Sequence, residues 1–279
     1  MKIFLTGGTG FIGSHVLKNL LNSNIEVVSH RRKESSSPKI PIKHSIKWLT
    51  KPVSKLDPKD FEGIDVLLHL ASHSVQYPFD TLENNIKFNV VEPLEMFKKA
   101  CQAGVTKFVI AGSCFEYGIS GEKYDYIPTN APLEPTNDYS TSKAMAYLAF
   151  RQMAESNQVG ISYNRLFHVY GPGEASNRFW PSLREAAISG KDFDMTFGEQ
   201  IRDFTHVEDM ANKLINECKV LYRSQILSFK TTNFGSNNIM SIKEFASKYW
   251  EKFEAKGRLN LGSIPYRDNE VMRYVPLLK

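Results

Sequence analysis

The chain has 279 residues, of which 42% are hydrophobic and 23% charged, and 35 basic against 30 acidic side chains leave a net charge of +5. This composition excludes a disordered or fibrous chain, and so small and dispersed a surplus gives no ground for a nucleic-acid partner. Three cysteines, Cys101, Cys114 and Cys218, cannot build a disulfide framework, no apolar run nears the ~18 residues of a membrane span, and the apolar start is too short for a signal peptide; a cytoplasmic protein with no membrane partner is expected.

Lys2–Thr6 is a compact β-like run, and Phe11–Leu21 carries Ile12, Val16, Leu17, Leu20 and Leu21 at helical spacing. Between them stand Thr6-Gly7-Gly8-Thr9-Gly10-Phe11-Ile12-Gly13, with Gly7, Gly10 and Gly13 in the spacing GxxGxxG. Glycines permit the tight turn and let a pyrophosphate approach the backbone, and the helix start offers unpaired N–H groups. A glycine turn at a strand-to-helix junction is the context a dinucleotide needs, so Gly7, Thr9, Gly10, Phe11, Ile12 and Gly13 are candidate cofactor residues. The next strand, 25–29, runs into His30-Arg31-Arg32-Lys33 with no acid before Glu34. An acid at that strand end would bind ribose hydroxyls, whereas Arg31 and Arg32 suit a 2′-phosphate. NADP(H) is therefore the preferred cofactor and NAD(H) the alternative. The basic remainder of 30–60 reads as solvated loop.

Residues 64–71 (IDVLLHLA) are apolar after Asp65, as in a strand buried on both faces. A helix is expected over 81–103, with Pro93 predicting a kink or broken turn, then a strand over Lys107–Ser113, a helix over 139–157 and a strand over 160–167. The alternation predicts an α/β fold, a doubly wound parallel sheet of Rossmann type. Its dinucleotide-binding domain would span 1–167, with a return crossing near 203–236. Beyond it Pro172, Pro181, Gly190 and Gly198 punctuate shorter segments of a smaller substrate lobe over 168–279.

Tyr139-Ser140-Thr141-Ser142-Lys143 puts a phenol and an ammonium four residues apart on one helical face. A nearby cation favours phenolate, so Lys143 is expected to make Tyr139 unusually acidic. Ser113 ends a predicted strand, on the side of a parallel sheet where ligands bind. His69 and His73 lack an acidic or cysteine partner at ligand spacing, and no metal site is expected.

Together TGGTGFIG (6–13), DVLLHLA (65–71), Asn89-Val90, GSCFEYG (112–118), YSTSK (139–143), NRLFHVYGPG (164–173), RDFTHVEDMA (202–211), NFGS (233–236) and PYRDNE (265–270) resemble the extended short-chain dehydrogenases/reductases that act on nucleotide sugars. The resemblance covers nearly the whole chain and is closest, within that family, to reductases of CDP- or dTDP-linked 4-ketosugars. It implies Tyr139 as general acid/base, Lys143 on the nicotinamide ribose, and Ser113 on the sugar oxygen. It further implies Asp65 at the adenine, with Leu70, Ala71, Ser72 and Asn89 beside the dinucleotide. Cys114, Phe115 and His168 would line the substrate, and Arg202 and Arg267 would hold its diphosphate. A homodimer through the helices at 81–103 and 139–157 is typical of the family, and Ala144–Phe150, apolar all round, fits a helix covered on two sides.

Related 4,6-dehydratases carry an Asp-Glu pair just after the catalytic hydroxyl, where this chain has Cys114 and Phe115; dehydration is disfavoured, and strand alternation should turn Glu116 away. His168 replaces an asparagine common in relatives. The reading is NADPH-dependent reduction of the C4 keto group of a nucleotide-activated (dTDP or CDP) 4-dehydro-6-deoxyhexose, serving deoxysugar, surface-polysaccharide and O-antigen synthesis. A nucleotide-sugar 4-epimerase with bound NAD is the alternative, and a non-catalytic NADP-binding regulatory protein a third.

Overall fold

The computed structural model describes residues 1–267 and 270–278. Strands β1 (Lys2–Thr6), β2 (Glu26–Arg31), β3 (Trp48–Thr50), β4 (Val66–His69), β5 (Lys107–Ser113) and β6 (Gly160–Leu166) alternate with helices α1 (Phe11–Leu21), α2 (Leu82–Ile86), α3 (Glu92–Gln102) and α4 (Asp138–Asn157). The chain continues through β7 (Val169–Tyr170), α5 (Phe179–Ser189), β8 (Phe193–Met195), β9 (Ile201–Asp203), β10 (Thr205–His206), α6 (Val207–Arg223) and β11 (Phe229–Phe234). It ends with β12 (Ile239–Ser241), α7 (Ile242–Lys252), β13 (Leu259–Leu261) and β14 (Arg273–Tyr274).

Seven strands form one sheet in the order β11-β6-β5-β4-β1-β2-β3, and every pairing in it is parallel. Ile3, Phe4 and Leu5 of β1 are fully buried, as are Val66, Leu67 and Leu68 of β4. Apolar side chains therefore stand on both faces of each strand, and each face needs a helical cover. One face packs Phe4, Leu67, Phe108 and Ile161 against Met96 and Phe97 of α3 and Phe150 of α4. The other packs Ile3, Leu5, Val66 and Val109 against Val16 and Leu17 of α1 and Met210 and Leu214 of α6. All strands point the same way, so their carboxyl ends line one edge, and ligands of such sheets bind there.

Three-residue β3 pairs with β2 through Ser29, His30 and Arg31; it lies in the stretch read as solvated loop, because so short a strand in a polar context leaves no periodicity to detect. Helix is continuous from α2 into α3 through a π turn over Lys87–Val91. Pro93 has no N–H for the carbonyl four residues back, and the wider turn before it absorbs that loss without ending the helix. Beyond the main sheet, β9 pairs antiparallel with β12 and parallel with β14, and β8 pairs with β13. There Leu183, Met195, Phe204 and Phe245 form a separate apolar cluster.

Candidate active site

At the carboxyl end of β1 the chain turns sharply at Gly7, whose φ of +77° is a left-handed conformation suited to glycine. A Cβ on Gly13 would lie 2.0 Å from the Gly7 carbonyl oxygen, so the turn can close only without that side chain. Gly10 caps α1 through its backbone alone, and the first turn carries no acidic side chain. The N–H groups of Phe11, Ile12 and Gly13 thus keep no helical partner, and with Thr9 at the turn they offer donors fitted to a pyrophosphate. Leu70 and Ala71 wall the turn: a Cβ on Gly7 would meet both backbones at 2.6 Å. At the end of β2, the Arg31 Nε donates to Thr50 Oγ1 (2.9 Å). Its guanidinium lies 5.0 Å above the Trp48 ring, while Arg32 is exposed.

Asp65 is not part of this crevice. It precedes β4, so it sits at the amino edge of the sheet, where its carboxylate accepts from the Lys2 N–H at 2.7 Å and lies 3.8 Å from the terminal ammonium. An adenine at the opposite, carboxyl edge cannot reach it. Asn89 is buried and spent on the backbone nearby. Its Oδ1 accepts from the His73 N–H (2.7 Å) and Ser72 hydroxyl (3.3 Å), and its Nδ2 donates to Ser142 Oγ (2.9 Å). It orders the Ser72–His73 segment rather than facing a ligand itself. The two histidines part: His69 Nδ1 lies 2.8 Å from Thr6 Oγ1, and burial holds its ring neutral with a pKa of about 3, whereas His73 pairs with Asp80.

Tyr139 stands in the first turn of α4, which Asn137 caps by accepting the Ser140 N–H at 2.9 Å. Tyr139 is 8% exposed, with the hydroxyls of Ser72 and Ser113 near its own. Contrary to expectation, its pKa is not lowered. Burial pushes it up to about 12, against the two serine hydroxyls, with Glu116 and Cys114 adding in the same direction. Lys143 shares the buried face but donates its Nζ to the Ala111 carbonyl at 2.8 Å, and burial lowers its own pKa. Desolvation, not the neighbouring ammonium, dominates here.

After Ser113 the chain enters a short 3-10 turn, Cys114–Tyr117. Cys114 is buried and its thiol is raised to about 12 by desolvation; Phe115 stands edge-on to His168 and Tyr274, 6.0 Å from each. Glu116, fully buried, accepts from the Ser113 N–H (2.7 Å), the Tyr163 hydroxyl (2.7 Å) and Arg165 Nε (2.6 Å). Arg165 is clasped between the rings of Tyr117 and Tyr147, at 4.6 and 4.3 Å. This ion pair went unseen in the sequence, because β6 reads Gly-Ile-Ser-Tyr-Asn-Arg-Leu and only its burial in the sheet demands a partner for the arginine.

The expected diphosphate residues divide. Arg202 is buried and donates to the Val271 carbonyl (2.6 Å) and to Glu270 Oε1 (3.2 Å). Arg267 is exposed, 5.7 Å over the Tyr77 ring, and Asp268 and Asn269 of the same motif lie outside the described residues. Burial and the charges of Arg202 and Arg178 keep His168 neutral, and its Nδ1 is buried without a partner among the described residues. Two residues absent from the expected site bear on it: Arg178, whose charge acts on His168, and Phe79, whose ring stacks on Tyr139; no spacing in the sequence marks either.

Relatives agree with this architecture. UDP-glucose 4-epimerase of Neisseria meningitidis serogroup C is 29% identical over 95% of this chain and 84% of its own length. CDP-abequose synthase of Salmonella muenchen is 24% identical over 97% and 87%. Among solved structures, MoeE5 in complex with UDP-glucose and NAD superposes with a TM-score of 0.83 at 26% identity, covering 100% of this chain and 90% of that one. The glycine turn, the serine–tyrosine–lysine constellation and the seven-stranded sheet coincide with a match of residues 3–215 to the NAD dependent epimerase/dehydratase family, to which this chain belongs.

Proposed function

We propose that this chain reduces the C4 keto group of a dTDP- or CDP-linked 4-dehydro-6-deoxyhexose with NADPH. The observation that carries the reading is the carboxyl end of β2. There Arg31 is braced on Trp48 and Thr50 beside an exposed Arg32, and His30–Lys33 carries no acid for the ribose hydroxyls. Reduced nicotinamide, when bound, supplies hydride to the carbonyl carbon. Tyr139, protonated well above neutrality, gives the carbonyl oxygen its proton, and Ser113 donates a hydrogen bond to that oxygen. Lys143, buried four residues on, is the group this reading assigns to a ribose hydroxyl. Dehydration is disfavoured at the serine turn, since Cys114 holds its proton, Phe115 has none to give, and Glu116 is tied to Arg165. Arg202 and Arg267 are the groups this reading assigns to the diphosphate. A homodimer through the helices at 81–103 and 139–157 is part of the reading, supported by exposed Val91, Met145 and Leu148 on them.

A 4-epimerase with bound NAD is the second reading, favoured by the 29%-identical UDP-glucose 4-epimerase. Incubation with nucleotide 4-ketosugars and NADPH or NADH, and with UDP-, dTDP- and CDP-sugars without added cofactor, separates the two by NMR of the products. NADPH consumption with a 4-hydroxy product supports reduction, and cofactor-independent epimer formation overturns it. Tyr139→Phe should lose at least about a hundredfold in kcat with NADPH affinity unchanged; unchanged turnover would refute catalysis by this site.

A further inference from the structure

The segment from Ser72 to Asp80 joins β4 to α2 and passes the reacting phenol. Both its ends are tied down. The His73 N–H donates to Asn89 Oδ1 at 2.7 Å and the His73 carbonyl accepts from Asn89 Nδ2 at 3.2 Å. His73 Nε2 lies 2.7 Å from Asp80 Oδ2, and the Asp80 N–H donates to Ser74 Oγ at 2.7 Å. Asp80 Oδ1 also accepts from the Thr81 N–H (2.8 Å) and Asn84 Nδ2 (3.0 Å), which fixes the segment to the start of α2. Between these anchors, Phe79 lies parallel to Tyr139, with ring centroids 5.7 Å apart and planes inclined by 15°. Tyr77 stands edge-on to Phe79 at 6.0 Å and carries Arg267 over its other side.

Phe79 is half-buried and belongs to none of the hydrophobic clusters among the described residues. Its use is therefore not general packing, and its aromatic contacts are Tyr77 and the phenol. The rotamer of a tyrosine in the first turn of a helix is held by what covers its ring as well as by what its hydroxyl meets. We propose that Phe79 is a positioning residue for Tyr139: the strap lays its ring on the phenol, bars water from that face and holds the hydroxyl toward Ser72 and Ser113.

The proposal deepens the functional reading and rests on Tyr139 as proton donor. The polar groups that bear on the phenol are Ser72 from the strap, Ser113, Cys114 and Glu116 from β5 and its turn, and Tyr163 from β6, while Lys143 of α4 donates to the Ala111 carbonyl. None changes when Phe79 is replaced. Admitting water to the ring face weakens the desolvation that keeps the phenol protonated, so its titration moves down, while a looser phenol transfers its proton less well.

The test uses the full chain labelled with fluorotyrosine, whose ¹⁹F resonance for residue 139 is assigned by its loss in Tyr139→Phe. In Phe79→Ala that resonance should shift and titrate about one pH unit lower, with kcat down roughly three- to tenfold, the scale of one aromatic contact. Phe79→Leu should restore most of both. Coincident resonance and titration in Phe79→Ala and the parent would overturn the proposal. Because the NMR readout needs no turnover, failure of the reductase assay and failure of this proposal are separate results.

Discussion

Replacing Glu116 with glutamine keeps the side chain's shape and removes one charge from the ion pair beneath the serine turn. In the parent, the carboxylate accepts from the Ser113 N–H, the Tyr163 hydroxyl and Arg165 Nε. Glu116 and Arg165 side chains are 0% and 1% exposed. The glutamine amide can still accept at one oxygen, but its NH2 faces donors, and the guanidinium loses its counter-charge in a medium where water cannot replace it. Breaking one partner of a buried pair costs about 3–5 kcal/mol. The Tyr117 and Tyr147 faces and the Thr129 carbonyl (2.9 Å) retain part of the stabilisation of Arg165, so the lower end, about 3 kcal/mol, is expected. At roughly 2–4 °C per kcal/mol for a chain of this size, Tm should fall by about 6–12 °C. Because the carboxylate also holds the Ser113 backbone, kcat should fall with it. Thermal unfolding by circular dichroism reads the first effect and steady-state rates at 15 °C below the new Tm read the second. A double change, Glu116→Gln with Arg165→Met, should recover much of the loss, since no charge then remains buried. A single variant within about 1 kcal/mol of the parent in urea titration would refute the account.

Three further outcomes are expected. Glu174, with a side chain 10% exposed, has its pKa raised from 4.5 to about 7 by burial; a raised folded pKa gives stability that is present below pH 4.5 and lost as pH rises through 7. The parent should therefore lose up to about 3 kcal/mol across that window relative to Glu174→Gln, and parallel urea curves at pH 5 and 8 would count against it. Arg31→Ala should raise KM for NADPH roughly ten- to a hundredfold while leaving NADH nearly unchanged, the scale of a charged hydrogen bond; equal effects on both cofactors would remove the basis for NADPH. Leu148, 59% exposed on α4, should on replacement by glutamate shift the chain to a monomer in sedimentation, and an unchanged species would place the interface elsewhere.

Local pattern was enough for the frame. Alternating β-like and helical periods, glycines at 7, 10 and 13 and an i, i+4 tyrosine–lysine pair are properties of neighbouring residues, and they predict a parallel sheet with a dinucleotide turn. Asp65, given to the adenine by the family resemblance alone, shows that place along the strand decides: it precedes β4, and parallel strands present ligands at the other end. The three-residue β3 left no period to read.

Electrostatic character, by contrast, came from contacts distant in sequence. The spacing of Tyr139 and Lys143 suggests an acidified phenol, yet Lys143 turns to Ala111, 32 positions away, and burial raises the phenol to about 12. Glu116 meets Arg165 across 49 positions, Arg202 meets Glu270 across 68, and Phe79 reaches Tyr139 through a strap knotted by His73 and Asp80. A dielectric environment is a property of the packed interior. Which charge is free, which is spent and which proton is held are settled when the elements come together.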